Sequence, residues 1–434
     1  MLSNAIHLSP EQLVEHSGTI ANVVGLTIES IGPQAAIGEL LQLCTLHGKH
    51  IANCEVVGFR ENRIISMVLG HTHSLMPGMK LVATGRSLEI ALSPALLGRI
   101  LDGMGQPLDD DTTPIRAAEH RSVYASAPSP LQRQRITEPL QTGIRAIDGL
   151  LTMGKGQRIG IFAGSGVGKS TLLGMLARHT SADVNVIALI GERGREVREF
   201  LEKDLGSEGL ERSVVVCATS DQPALIRIKA ALVATTIAEY FRDQGLDVLL
   251  MMDSVTRLAM AQREVGLAVG EPPTTKGYTP SVFALLHSVM ERAGTSNVGT
   301  ITALYTVLVE GDDMNEPIAD AARGILDGHY VLTRKLAQQG HYPALDVLQS
   351  ISRLMDDIVS PEHLRAAAAL KQALALYTEA EDLIAVGAYQ PGSNPQLDRA
   401  IALRPALLEF LRQQKHEFTP LQATVENMQL IAAS

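Results

Sequence analysis

The chain has 434 residues and a formal net charge of −10, with 45% hydrophobic residues, 3% aromatic residues and no tryptophan. The length predicts roughly three domains, and the composition predicts a large hydrophobic core. The acidic balance and the scarcity of aromatic side chains argue against a nucleic-acid-binding protein, which needs a basic surface and stacking side chains.

The cysteines and the first residues bear on location. Cys44, Cys54 and Cys217 have no metal-ligand spacing, and an odd number of cysteines in a long chain suits a reducing cytosol. The first residues show no secretory signal, and no apolar run reaches membrane-spanning length. We therefore expect free, buried thiols and a cytoplasmic protein.

The N-terminal part predicts a short helix followed by a β domain. Ser9 fits the N-cap and Pro10 the first turn of a helix over residues 9–16. From Gly18 to about Gly85, short β-rich runs are cut by glycine, with the spacing of a small barrel or sandwich.

The middle of the chain predicts an α/β fold. A proline-bearing connection over residues 124–140 leads into alternating apolar strands and helices, and the signal is helical beyond about Pro361. Continuous apolar strands that alternate with helices indicate a mostly parallel sheet covered on both faces. The predicted strands cover residues 158–163, 184–190, 213–219, 247–253 and 299–309, with a long helix over 223–245.

A glycine-rich turn, AGSGVGKS, joins the first of these strands to a helix. Gly164, Gly166 and Gly168 free the bend of side chains, so that backbone N–H groups and the positive end of the helix dipole favour a polyphosphate. Lys169 adds a charge for the β- and γ-phosphates, and the Ser170 hydroxyl is placed to ligate Mg²⁺. Ala163 stands where the strict motif has glycine, and a chance glycine turn is the alternative interpretation.

Carboxylates follow two other predicted strands. Glu192 comes after the strand that ends at Ile190, where it could orient and polarise the attacking water, although the segment could also be a solvated charged loop. Asp253 ends another strand, and a Mg²⁺ partner explains that position better than an unpaired buried carboxylate does.

Phosphoryl transfer also needs positive charge to stabilise the transition state, and arginine suits phosphate oxygens best. Arg193, Arg257 and Arg353 are the candidates, and spacing alone does not choose among them. Tyr342 is either a core tyrosine or a stacking surface for adenine.

The motifs together resemble one family. AGSGVGKST, GERGREV, MMDSVTR, GEPPTTKGYTPSVF, EGDDMNEPIAD and GHYPALDVLQSISR resemble the ATPases that energise type III protein export, the flagellar branch most, with the virulence-secretion branch and the rotary ATP synthase β-subunit as neighbours. The resemblance implies an N-terminal helical segment (1–17), a β-barrel domain (18–90), a RecA-like P-loop ATPase domain (91–355) and a C-terminal helical domain (356–434).

The resemblance also implies roles for the site residues. The nucleotide, ATP with Mg²⁺, would be held by Gly164, Ser165, Gly166, Val167, Gly168, Lys169, Ser170 and Thr171, with Asp253 as the Mg²⁺-site acid. Glu192 would be the catalytic carboxylate, Arg193 would face the γ-phosphate and Arg257 would lie near the phosphates. Tyr342 would pack on adenine, and Arg353 would be an arginine finger that reaches the next subunit's site.

The resemblance implies a homohexameric ring at the cytoplasmic face of a membrane export apparatus. Its partners would be a regulatory protein at the N-terminus and export substrates with their chaperones. The acidic loop 309–320 either approaches the central hole of the ring, where a helical stalk protein could lodge, or is a solvated turn. The alternatives are a virulence-secretion ATPase, a proton-coupled synthase subunit, an RNA-translocating ring and a nucleotide switch without turnover.

Overall fold

The N-terminal part of the computed structural model is a closed antiparallel barrel. The structure describes residues 15–70, 75–111, 113–309 and 313–434. The helix predicted at residues 9–16 lies outside these ranges except for its last two residues, which are not helical. The barrel strands follow the order β1-β2-β5-β4-β3-β6. They are β1 (Ser17–Val24), β2 (Thr27–Ile31), β3 (Glu39–Cys44), β4 (His50–Arg60), β5 (Arg63–Val68) and β6 (Lys80–Ser87).

Buried and exposed residues alternate along the barrel strands, so one face of each strand lies in the barrel interior. Its interior is filled by aliphatic side chains from all six strands, including Ile20, Ile28, Leu41, Val56, Ile64 and Leu81. Cys44 faces His50 rather than Cys54 across the β3–β4 pair. All three cysteines are free and buried, as predicted.

A connection leads from the barrel into the central sheet. It contains β7 (Glu89–Leu92), β8 (Ile100–Asp102) and β9 (Glu119–Ser122). β7 and β9 pair with each other, whereas β8 adds a parallel strand to one edge of the central sheet.

The central sheet has nine strands in the described residues, and most of them are parallel. The added strands are β10 (Arg158–Ala163), β11 (Val184–Ile190), β12 (Ser213–Ala218), β13 (Asp247–Asp253), β14 (Gly294–Thr295), β15 (Thr300–Leu308), β16 (Gly328–Leu332) and β17 (Leu345–Ser352). The order is β17-β16-β10-β15-β13-β11-β12-β8, with β14 paired to β15. The predicted α/β core is confirmed; β16 and β17 were not predicted.

Helices cover both faces of the sheet. They are α1 (Arg145–Leu150), α2 (Lys169–His179), α3 (Gly194–Glu199), α4 (Gly206–Glu211), α5 (Ala224–Arg242), α6 (Val255–Val269), α7 (Pro280–Arg292), α8 (Pro317–Ile325), α9 (Arg334–Gln338) and α10 (Met355–Ile358), with a π-helical segment over Phe200–Leu205. Two large clusters of buried apolar side chains lie on the two faces of the sheet. The carboxyl ends of β10, β11, β13 and β15 therefore meet along one edge.

The C-terminal part is helical, as predicted. It consists of α11 (Pro361–Ala385), α12 (Pro395–Leu411) and α13 (Leu421–Ala433). Arg145 joins it to the core by donating to the Phe410 carbonyl at 2.8 Å and pairing with Glu417. Among the described residues, no helix combines the length and apolarity that crossing a bilayer requires.

A buried ion pair joins the barrel to the central domain. The Lys229 ammonium on α5 lies 2.6 Å from the Glu55 carboxylate on β4, and both side chains are almost fully buried. The Tyr124 hydroxyl donates to the same carboxylate at 2.7 Å. Burial lowers the pKa of Lys229, against the effect of Glu55. The buried ammonium of Lys229 and the buried carboxylate of Glu55 therefore each neutralise the charge of the other.

Candidate active site

The loop after β10 has the backbone shape that its glycines allow. Gly166 and Gly168 have φ angles of 77° and 90°, in the left-handed region where a side chain is strained. Gly168 caps α2, whose first residue is Lys169. The bend therefore turns the N-terminal N–H groups of α2 towards the carboxyl edge of the sheet, where an anion is favoured.

Lys169 contacts two carboxylates that come from other strands. Its ammonium pairs with Asp253, the last residue of β13, and lies 3.5 Å from the Glu192 carboxylate, two residues beyond β11. Thr306 on β15 donates its hydroxyl to Asp253 at 2.7 Å. Parallel strand pairing brings these groups together, because all of these strands end at the same edge.

The charges of this group perturb one another. Burial lowers the pKa of Lys169, but the carboxylates of Asp253 and Glu192 outweigh burial, so the net shift is upward. Burial raises the pKa of Glu192, and Asp253 and Glu196 act in the same direction, whereas Lys169 and Arg257 oppose it. A carboxylate with a raised pKa is a better proton acceptor than a solvent-exposed one.

Most of the predicted residues line one cleft of about 590 Å³. The Val167 side chain is an exception: it is buried beneath the loop, so only its backbone can face a ligand. The predicted residues along the cleft are Gly164, Ser165, Gly166, Gly168, Lys169, Ser170, Thr171, Glu192, Arg193, Asp253 and Arg257.

The two arginines at the cleft have different environments. Arg257 packs on Gly191, where a Cβ would lie 2.9 Å from the Cβ of Arg257, and its buried Nε has no hydrogen-bond partner. Arg193 is largely exposed and lies 3.3 Å from Glu196. The Nε of Arg257 is thus a buried donor at the cleft that no protein acceptor occupies.

Tyr342 lies beside the loop rather than in the cleft. A Cβ on Gly168 would be 3.4 Å from the tyrosine ring, and the side chain is 48% exposed. The Tyr342 carbonyl accepts from the Gln413 backbone N–H at 2.9 Å. The ring thus has an open surface next to the loop, and its backbone is tied to the C-terminal helices.

Arg353 lies far from its own cleft. β17 runs antiparallel to β16, with Ser352 opposite Gly328 and Leu345 opposite Leu332. Arg353 therefore lies near the amino end of β16, whereas the cleft lies at the carboxyl ends, roughly 16 Å away at about 3.3 Å per residue. Its exposed guanidinium donates to the Arg323 carbonyl at 3.3 Å.

The cleft also contains residues that the sequence analysis did not identify. They are Leu189, Glu196, Val197, Glu199, Phe200, Asp204, Leu308, Val309 and Arg334. Glu196 lies four residues beyond Glu192 in the same motif, and that second glutamate was an available signal. Arg334 follows β16, so it was missed with that strand. Asp204 belongs to the π-helical segment, which no sequence pattern indicated.

The donor set suits a hard cation held jointly with phosphate. Within the described ranges no three acidic, histidine or cysteine side chains form a metal-binding group. The Ser170 hydroxyl and the Asp253 carboxylate lie along the same cleft and offer oxygen ligands. Mg²⁺ is commonly bound through one or two carboxylates, water and substrate phosphates, so these residues fit it.

The fold and the cleft define a P-loop ATPase with a RecA-like core. The model of the ATP synthase alpha/beta family, nucleotide-binding domain, matches residues 143–352. The model of the T3SS EscN ATPase C-terminal domain matches residues 359–430.

Similar proteins cover almost the whole chain. The flagellum-specific ATP synthase of Bacillus subtilis is 56% identical over 94% of this chain and 93% of its own length. The type 3 secretion system ATPase of Xanthomonas euvesicatoria is 50% identical over 94% and 92%. The assembled ATPase EscN of the enteropathogenic E. coli type III secretion system superposes with a TM-score of 0.90, at 48% identity, over 96% of this chain and 100% of that chain. The chain belongs to the family of flagellum-specific ATP synthases and type 3 secretion system ATPases, and it is an ATPase.

Proposed function

We propose that this protein hydrolyses ATP in a homohexameric ring and thereby energises protein export through a flagellar type III apparatus. The observation that carries the proposal is that Lys169, Glu192 and Asp253 share one cleft, whereas Arg353 lies on a different part of the surface. One copy then supplies most of a site, and the neighbouring copy supplies its last cation. Head-to-tail contacts of this kind can close into a ring.

Each residue of the cleft has a separate role in binding or hydrolysing ATP. The backbone N–H groups of residues 164–168 and the ammonium of Lys169 hold the β- and γ-phosphates. Glu192 orients the attacking water and accepts hydrogen bonding from it, helped by a raised pKa. Arg257 and Arg193 offer guanidinium groups to the phosphates, and Tyr342 offers its open ring to adenine.

Magnesium is the cation that the cleft is built to share with the nucleotide. Ser170 and Asp253 would hold it, and when bound it neutralises charge on the phosphates. In that arrangement Asp253 would give up part of its contact with Lys169, and the ammonium would be available to phosphate oxygens. Thr306 keeps the carboxylate in place during this exchange.

Complementation between two inactive variants tests the shared site. E192Q removes the carboxylate from a subunit's own cleft, and R353A removes the cation that it lends. Each variant alone should turn over at least about 100-fold more slowly than wild type. Both variants are then mixed in one ring. An R353A subunit keeps Glu192 in its own cleft, and an adjacent E192Q subunit supplies Arg353 to that cleft. Such a site is complete, so hydrolysis should recover.

The control is a mixture of E192Q with E192Q/R353A, in which no complete site can form. Both single variants should still bind ATP, which calorimetry can measure. Continued inactivity of the E192Q and R353A mixture, with ring formation verified by light scattering, would rule out a site shared between subunits.

Virulence-type secretion is the second candidate function. It is favoured by the 50% identity to the Xanthomonas euvesicatoria type 3 secretion system ATPase and by the EscN superposition. Expression in Bacillus subtilis that lacks its own flagellum-specific ATP synthase separates the two, since restored swimming supports the flagellar assignment. Failure to restore swimming, with secretion restored in a host that lacks its own type 3 secretion system ATPase, would support the other.

The partners follow from the same proposal. EscN has been described in complex with its central stalk EscO. We propose that a helical stalk protein enters the ring of this chain near residues 309–320, of which 310–312 lie outside the described ranges. A regulatory protein would bind residues 1–17, and export substrates with chaperones would meet the ring at the cytoplasmic face of the membrane. Nucleic acid is not expected to stimulate hydrolysis.

A further inference from the structure

Arg334 is a cation of the cleft that no part of the proposed mechanism uses. It follows β16, whose Leu332 pairs with Ala163 at the end of β10. Thr333 and Arg334 therefore lie level with the start of the glycine-rich loop, one strand spacing of roughly 4.8 Å away. The Arg334 side chain lines the same cleft as Lys169.

Arg334 differs from Lys169 and Arg193 in its lack of partners. Arg257 also lacks a side-chain partner among the described residues, but it is less exposed than Arg334. Lys169 is paired with Asp253 and Glu192, and Arg193 lies 3.3 Å from Glu196. Arg334 is exposed and has no ion pair and no side-chain hydrogen bond to any residue in the described part of the chain. An unpaired guanidinium that faces a phosphate-binding loop has its full charge available to a ligand.

The strand order indicates which part of the nucleotide Arg334 meets. Along the sheet, β16 and β10 are followed by β15, β13 and β11. Asp253 and Glu192 follow β13 and β11, so the γ-phosphate lies on that side of the loop. Arg334 follows β16 on the opposite side. Tyr342 lies on that side too, two residues before Ala344, whose carbonyl accepts from the Thr333 N–H at 2.9 Å. The non-reacting end of the nucleotide thus points towards Arg334.

We infer that Arg334 binds the α-phosphate of the nucleotide within its own subunit. The inference rests on the proposed nucleotide site and adds to it a residue that binds the nucleotide directly. Because the α-phosphate is present before and after hydrolysis, the contact contributes equally to substrate and product binding. Such uniform binding changes KM and leaves kcat nearly unchanged.

Calorimetric titration of two variants tests this inference. R334A is combined with E192Q, which slows hydrolysis enough for a titration, and ATP and ADP are each titrated in the presence of Mg²⁺. Both affinities should fall by the same factor, about tenfold, which corresponds to one charge-assisted hydrogen bond of ~1.5 kcal/mol. In the otherwise native protein, R334A should raise KM by a similar factor with little change in kcat.

K335A in the same background is the matched control. Lys335 is the next residue, its ammonium lies 3.1 Å from Glu381, and it does not line the cleft, so both affinities should stay unchanged. A loss confined to ATP would assign Arg334 to the γ-phosphate, and unchanged affinities would remove it from the site. Either result overturns the inference. Failure of the E192Q parent to bind ATP would instead count against the proposed nucleotide site.

Discussion

Lys169 and Asp253 form an ion pair at the bottom of the cleft, although each is expected to serve a different part of the substrate. The pair satisfies two largely buried charges in the absence of nucleotide. In the proposed mechanism, phosphate oxygens replace Asp253 as the partner of Lys169, and a cation replaces Lys169 as the partner of Asp253. No buried charge is then left unpaired when the nucleotide binds.

Removal of the Lys169 charge should prevent nucleotide binding. K169A leaves the Asp253 carboxylate uncompensated where phosphate must bind, and it deletes a charge-assisted contact worth ~1.5–3 kcal/mol. We expect ATP affinity to fall by at least about tenfold, measured by calorimetry. K80A, which alters a partly exposed barrel lysine far from the cleft in the fold, should bind ATP normally. Equal affinities of K169A and K80A would contradict the assignment.

The acid side of the pH–activity profile should reflect Glu192. Burial raises its pKa above the ordinary value of 4.5, so the base becomes protonated, and hydrolysis slows, at a higher pH than for an exposed glutamate. Arg257 holds that pKa down, so R257Q should move the acid limb to higher pH. Profiles of kcat/KM between pH 4 and 9 measure both midpoints. A wild-type midpoint at or below 4.5 would speak against Glu192 as the base.

The junction between barrel and core should depend on both members of its ion pair. K229A leaves the Glu55 carboxylate buried and unpaired, and the free energy of unfolding should fall by about 3–5 kcal/mol. The double variant E55Q/K229M removes both charges and should lose less. Denaturant unfolding, followed by circular dichroism, compares the two. A double variant as unstable as K229A would show that packing, rather than charge, dominates this junction.

Asp148 should make stability fall as the pH rises. Its fully buried carboxylate on α1 accepts from the Thr142 and Gly143 N–H groups at 2.9 Å, and burial raises its pKa from 3.8 to about 7. Between these values the folded protein holds a proton that the unfolded chain releases. The contribution is complete below pH 4 and is lost as the pH approaches 7.

Unfolding free energies at pH 5 and pH 7.5 measure the Asp148 effect. The decrease between the two values should be smaller in D148N, which cannot titrate there. An identical decrease in wild type and D148N would assign the pH dependence to other groups.

Local patterns predicted much of the site and of the fold. Residues 158–163, 184–190 and 247–253 are strands with the predicted limits, because uninterrupted apolar runs between turns admit few alternatives. The glycine spacing before Lys169 predicted the bend, since positive φ angles need glycine. Glu192 and Asp253 were found because Glu192 lies two residues beyond one buried strand and Asp253 ends another.

Residues outside such patterns were missed. β16 has only five residues, too few for a clear periodic signal, and Arg334 was missed with it. Asp204 reaches the cleft from a π-helical segment, which leaves no periodic trace in the sequence.

The sequence by itself determined which chemical groups are present and that they follow buried strands. Only the tertiary structure decided which of them meet. Strand order is set by pairings between segments distant in the chain, so the sequence could not place Arg334 on the side opposite Glu192. The antiparallel direction of β17 carries Arg353 to the far end of β16, and that direction, rather than any property of the arginine, keeps it out of its own subunit's cleft.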